Sequence, residues 1–164
     1  MKLDHIIQAF AGSYALVNTT RYTLNPNGTE TFLSFENKTT GIITYTTRGI
    51  ISVIMTNPTN RPEHLLWPPA ANDSDADWAL IGRSIMSYTT RFHIGKEMPA
   101  TSPGIRQGQI LHGPIDVANV PSLVGTTLAR EYTMSRRDGD EYLLLQALNP
   151  EATSRNDILW RRIA

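Results

Sequence analysis

His112, Arg130 and Tyr132 are the side chains of this 164-residue chain whose types suit proton chemistry on a small molecule. Histidine titrates near neutrality, so inside a cavity it can give or take a proton. A guanidinium stays charged and offers a rigid fork of donors, which fits a carboxylate or enolate oxygen and stabilises developing negative charge. Tyr22, Tyr45, Tyr88 and Tyr132 can each donate a hydrogen bond to a carbonyl. Asp116 can act as a base if it is buried. Each has a plainer reading beside it. His112 can be a core or rim histidine held by a hydrogen bond, Arg130 half of a structural ion pair, the tyrosines core, and Asp116 a turn cap. His5, His64 and His93 read as surface or loop residues.

Other chemistries find no support. The four histidines and the carboxylates show no H-x-x-x-H spacing, so no metal site is expected. No cysteine occurs, which removes disulfides, thiolate ligands and a cysteine nucleophile. No G-x-S-x-G elbow, phosphate loop or dinucleotide fingerprint appears, and no cofactor is expected. Fifteen basic and fifteen acidic residues give a net charge of zero, with no basic run longer than two. Nucleic acid and anionic membranes need concentrated positive surface, so neither is an expected partner. Asp4 and His5 interrupt the apolar core that a signal peptide would continue, and no stretch is long and apolar enough for a membrane helix. The expected location is cytoplasmic. The expected partners are a hydrophobic small molecule and a second copy of the chain in a homodimer.

The candidate side chains need strands to position them. Residues 41–55, GIITYTTRGIISVIM, are two β-prone runs around a Gly-containing turn. Their alternation is imperfect: Ile42 and Ile43 are neighbours, as are Ile50 and Ile51, so both faces carry apolar side chains. Further strands are expected over 13–24, 31–35, 88–94, 105–117, 124–134, 141–148 and 157–163, with turns at residues 25–28 and 138–140. Residues 3–10 have apolar spacing for a helical turn or two. A Pro-rich connection over residues 56–77 reads as a lid or binding loop. Ser74 with Asp77 starts a helix that places Trp78, Ile81 and Ile85 on one side. Trp67 and Trp78 read either as an aromatic lid or as staples holding this segment to the outside. Eight or nine sequential antiparallel strands, in one domain over residues 1–164, suggest a sheet closing on itself. A helix or the N-terminal segment would then cover part of its exterior.

Period-two alternation assigns the inner face. If Tyr14 points inward, so do Leu16, Asn18, Thr20 and Tyr22 while the strand stays regular. Tyr88, Thr90, Phe92 and Ile94 share a face, as do Leu128, Arg130, Tyr132 and Met134. Ile110, His112 and Pro114 go together, with Asp116 if no bulge intervenes. The result is an apolar interior with a few polar groups, the usual lining of a ligand pocket. The binding set is then Asn18, Tyr22, Tyr45, Trp67, Trp78, Tyr88, Phe92 and Asp116.

Gly12-Ser13-Tyr14, the 41–55 hairpin, the helix running into MSYTTRFHI, the stretch HGPIDVANVPSLVGT and the terminal LWRR follow one another along the chain. In that order they resemble the lipocalin-like domain family of bacteria and fungi, over about residues 10 to 163. The chain departs from the family at Tyr14, where a tryptophan is usual. That tryptophan packs against an arginine of the last strand, a role left here to Tyr14 with Arg161 or Arg162. The resemblance implies an all-β, eight-stranded antiparallel up-and-down barrel with one flanking α-helix. It also brings in fungal secondary-metabolism proteins that resemble cofactor-independent isomerases and cyclases. The expected function is isomerisation or cyclisation of a hydrophobic polyketide- or terpenoid-derived intermediate inside the barrel. The alternatives are a non-catalytic carrier and a barrel filled by its own side chains.

Overall fold

The computed structural model describes residues 2–59, 62–99 and 102–164. In chain order the elements are α1 (Lys2–Phe10), β1 (Gly12–Leu24), β2 (Glu30–Glu36), β3 (Thr40–Tyr45), β4 (Ile50–Thr56), α2 (Asp75–Ser84), β5 (Ile85–Met98), β6 (Arg106–His112), β7 (Val117–Ala118), β8 (Leu128–Arg137), β9 (Asp140–Leu148) and β10 (Ser154–Arg162). The sheet runs β10-β9-β8-β6-β5-β4-β3-β1, and β1 also pairs with β10. The eight strands therefore form a closed antiparallel barrel, with no edge among them. β2 and β7 are additions, paired with β1 and β5.

β1 divides one of its sides. Residues 12–15 pair with β3 and residues 19–24 with β2, while the other side pairs with β10 from Tyr14 to Thr23. The register against β10 slips between Leu16 and Asn18. Such a bulge leaves one residue unpaired and exchanges the two faces beyond it. β2 has a free edge and exposes Phe32, Leu33 and Phe35.

The 41–55 hairpin turns at Gly49, whose φ of 76° is accessible to glycine at low cost. Its inner set is Ile43, Tyr45, Ile51 and Val53, all buried. Its outer set includes the cross-strand pair Ile42 and Ile54, 47% and 52% exposed. Neither a helix nor the N-terminal segment buries this pair, contrary to the expectation from its apolar character. Both helices lie against β5 instead.

One end of the barrel is shut by α1. Its Ile6 and Phe10 are buried, and the Phe10 ring meets Tyr45 at 5.1 Å and Tyr132 at 4.9 Å between centroids. Burying one such side chain contributes on the order of 1.5–3 kcal/mol. Arg162 latches the helix to the barrel. It donates to Ala11 O at 2.8 Å and Ala9 O at 2.6 Å, and its guanidinium lies 5.0 Å over the Tyr14 ring. The cation–π contact expected for Tyr14 thus uses Arg162, while Arg161 faces outward near Asp140.

α2 begins at Ser74, whose hydroxyl accepts from the Ala76 amide. Asp77 does not complete a capping box, because its carboxylate lies 3.2 Å from His64 Nε2. No described helix is long and apolar enough to cross a membrane.

Candidate functional site

The inner face changes character along the barrel axis. Around the α1 plug it is solid: Tyr14, Tyr45, Ile51, Phe92, Ile110, Tyr132 and Leu143 are all buried. Toward the opposite end, Leu16, Met55, Met86, Leu128 and Ile158 are only half-buried. The barrel is therefore filled at its closed end, while the inner side chains toward its mouth are only partly covered. The mouth is framed by the loops that join β4 to β5, β6 to β8 and β9 to β10, and by the β1–β2 turn.

His112 stands where these two regions meet. It ends β6, opposite Phe92 on β5 and Leu128 on β8, and is buried. Tyr45 Oη lies 3.1 Å from its Nε2, and Tyr88 Oη lies 2.8 Å from its Nδ1. Three strands, β3, β5 and β6, converge on this arrangement because Tyr45, Tyr88 and His112 all fall on inner positions.

The protonation state follows from the surroundings. Burial, reinforced by the charge of Arg130, holds His112 down at about 3, so the ring is neutral at physiological pH. Burial raises both hydroxyls as well, Tyr88 to about 12 and Tyr45 well above the usual phenol range. A neutral imidazole has one donor and one acceptor nitrogen. One tyrosine therefore donates to the ring while the other accepts from it. The accepting tyrosine's own O–H has no acceptor among the described residues, a buried donor left over for a ligand oxygen. The expectation of a histidine titrating near neutrality does not hold, because burial and the charge of Arg130 both disfavour imidazolium.

Arg130 lies on the inner face of β8 and acts electrostatically on His112, Tyr45 and Tyr88. Burial lowers its pKa. Its one hydrogen bond among the described residues goes to the Ala129 carbonyl at 2.8 Å, and no carboxylate pairs with it there. The structural ion pair considered for Arg130 is not made among the described residues. A cleft of about 440 Å³ crosses the barrel rim beside it, lined by Arg21, Leu128, Arg130 and Asn156, with Gln109 and Glu131 on the outer side. A second concavity of about 490 Å³ lies at the closed end, near Tyr14 and Arg162. It is remote from His112, whereas the rim cleft reaches Leu128 and Arg130 at the mouth end of β8.

The remaining candidates fall in several places. Tyr132 faces inward, but its ring packs on Phe10 in the plug, and it makes no hydrogen bond to His112. Phe92 belongs to the floor, 5.0 Å from Tyr45 between ring centroids. Asn18 and Tyr22 do not line the interior. After the bulge they share the outer face with Leu159 and Arg155, and Arg155 lies 4.9 Å over the Tyr22 ring. Asp116 is exposed, because β6 stops at His112 and Gly113, at φ 133°, turns the chain so that Ile115 enters the core. Trp67 is 86% exposed and covers nothing. Trp78 is half-buried on α2. His5, His64 and His93 are exposed, as expected. Among the described residues, no three acidic or histidine side chains cluster to hold a metal ion.

Sequence reasoning missed Arg21, Ile115 and the plugging role of Phe10. A regular β1 places Arg21 outside, and nothing in the local sequence marks the bulge that brings it in. Helical spacing in residues 3–10 did mark Phe10 as one of four apolar residues, with Leu3, Ile6 and Ile7.

Comparison with known proteins agrees with this architecture. No curated protein and no solved structure matches the chain. A family model described as a lipocalin-like domain matches residues 11–163. A closed eight-stranded barrel latched by Tyr14 and Arg162, with that match spanning almost every residue, makes this chain a member of the lipocalin-like domain family.

Proposed function

We propose that the chain is a cofactor-independent isomerase or cyclase of secondary metabolism, acting on a hydrophobic polyketide- or terpenoid-derived intermediate held in the barrel. The Tyr45–His112–Tyr88 unit carries this reading, because it leaves one buried hydroxyl proton without an acceptor. A substrate carbonyl that enters the mouth half of the barrel accepts that proton as a hydrogen bond. As its oxygen gains negative charge, the bond strengthens, and Arg130 adds positive potential in a region of low dielectric. The weakly basic ring supports polarisation of the carbonyl more than storage of a proton. The apolar wall of Leu16, Met55, Met86 and Ile158 holds the carbon skeleton folded, so that reacting atoms meet without a bimolecular search.

Product formation and ligand binding, measured side by side, test the proposal. Tyr45→Phe, Tyr88→Phe, His112→Ala and Arg130→Ala lower turnover of the accepted intermediate roughly 10²- to 10⁴-fold while much of the binding remains. A barrel that binds the intermediate without converting it is a carrier. That second reading draws on the same half-buried apolar wall, which suits a hydrophobic ligand without any chemistry. A cytoplasmic location and a homodimer belong to the same proposal; light scattering of the purified chain tests the dimer.

A further inference from the structure

We propose that the ligand is an apolar molecule ending in a carboxylate, which seats between Arg130 and Arg21 at the barrel mouth. This rests on the reading of the mouth half of the barrel as a ligand cavity and specifies which apolar molecules it takes.

The two arginines reach the same cleft from opposite walls. Arg21 pairs with Asn156, and Asn156 pairs with Ala147. Glu131 pairs with Gln146, which places Arg130 opposite Ala147 in the next register step. The row Arg21, Asn156, Ala147, Arg130 thus crosses four adjacent strands on the inner face. Three strand spacings separate the ends, roughly 14 Å of curved wall, a gap that two extended arginine side chains close from either side.

No protein anion answers these cations. Arg21 and Arg130 form no ion pair among the described residues. The nearby carboxylates are engaged elsewhere. Glu36, in the inner phase of β2, accepts from the Lys38 and Thr39 amides. Glu131 faces outward and accepts from Gln109 at 3.2 Å. Asp157 also faces outward and is held by Arg155 and Gln146. Arg130 is half-buried and Arg21 exposed at the mouth. A half-buried guanidinium without a counter-charge is unfavourable. A carboxylate seated on Arg130 offsets that cost through charge-assisted, bidentate hydrogen bonds, with Arg21 adding a second, solvated donor fork. Burial already lowers the Arg130 pKa, as expected for a cation that lacks its partner. Asn156 supplies a neutral donor between the two arginines.

Displacement of the neutral dye Nile red tests the inference. Dodecanoate and dodecanol share one chain and differ in the head group. At mildly alkaline pH, dodecanoate displaces the dye from the wild-type protein at least about tenfold more effectively than dodecanol. Arg130→Met removes most of that preference, Arg21→Met removes part, and Arg130→Lys retains part; thermal melts verify that each variant is folded. Equal displacement by acid and alcohol in the wild type overturns the carboxylate inference and leaves the cavity standing. A preference that survives in both folded methionine variants overturns it as well. Failure of the wild type to bind the dye or either amphiphile overturns the cavity reading and this inference with it.

Discussion

Tyr88 Oη lies 2.8 Å from Nδ1 of His112, and with Tyr45 on Nε2 both ring nitrogens are taken inside a buried site. The ring is fixed in orientation and neutral, and the cluster holds one hydroxyl proton more than its own acceptors use. Position, charge state and spare donor all follow from two hydrogen bonds and burial.

Stability rises with pH through the acidic range because of this histidine. The unfolded chain protonates His112 below about 6.5, whereas the folded chain resists protonation until about 3. Between those values the unfolded state binds the extra proton, so stability is full above 6.5 and falls as pH drops toward 3. Tyr45, Tyr88 and Arg130 are the titratable and charged groups facing the ring. Urea unfolding shows a loss attributable to His112 of roughly 2–3 kcal/mol between pH 7 and pH 4.5. In His112→Asn that loss disappears and the profile is correspondingly flatter. Identical profiles for the two proteins would refute the neutral buried ring.

Replacing either tyrosine exposes the other half of the same arrangement. Tyr45→Phe and Tyr88→Phe each strand one imidazole nitrogen in an apolar surrounding, at a cost of about 1–3 kcal/mol. The double variant costs less than the sum, since both share His112. A double-mutant cycle in guanidinium chloride measures the coupling, and strict additivity would argue that the two bonds are independent.

Arg162 holds the plug in place, and Arg162→Met tests it. The variant loses the bonds to the Ala9 carbonyl of α1 and to the Ala11 carbonyl just after it, the contact over Tyr14, and the Glu141 carboxylate 2.7 Å from Nε. A destabilisation of about 2–4 kcal/mol is expected. Hydrogen exchange in α1 accelerates more than in β8 or β9. Arg162→Lys recovers only a fraction, because an ammonium cannot bridge the Ala9 and Ala11 carbonyls while covering the ring.

Gly113 sets the end of β6 directly after His112. A β-carbon there meets Thr126 O at 2.6 Å and Thr127 Cα at 2.9 Å, both backbone atoms, at φ 133°. Gly113→Ala therefore costs more than about 2 kcal/mol. Gly125→Ala, at φ 80° with open space around it, provides the comparison and costs about 1 kcal/mol. Equal denaturation midpoints for the two variants would show that the backbone at Gly113 yields.

Local pattern carried the strands well. The hairpin at 41–55, the turns at 25–28 and 138–140 and the strand at 141–148 stand almost where alternation and turn residues put them. The inner faces of β5 and β8 are legible for the same reason, since both strands keep period two through the site, with β5 slipping register only after Ile94. The phase fails where the chain breaks its regularity: at the β1 bulge, which turns Asn18 and Tyr22 outward and Arg21 inward, and at Gly113, which exchanges Asp116 for Ile115.

The amino-acid sequence by itself determined most of the strands and turns, because alternation and turn chemistry are local properties of neighbouring residues, and its resemblance to a family implied the barrel they close. It also named His112, Arg130, Tyr45 and Tyr88 as candidates. Only the tertiary structure decided that Tyr45 and Tyr88, 67 and 24 residues away from His112, close on one ring, and that its charge is suppressed. Hydrogen-bond partners and desolvation depend on distances between strands remote in sequence, and those distances are set by how the sheet shears and closes.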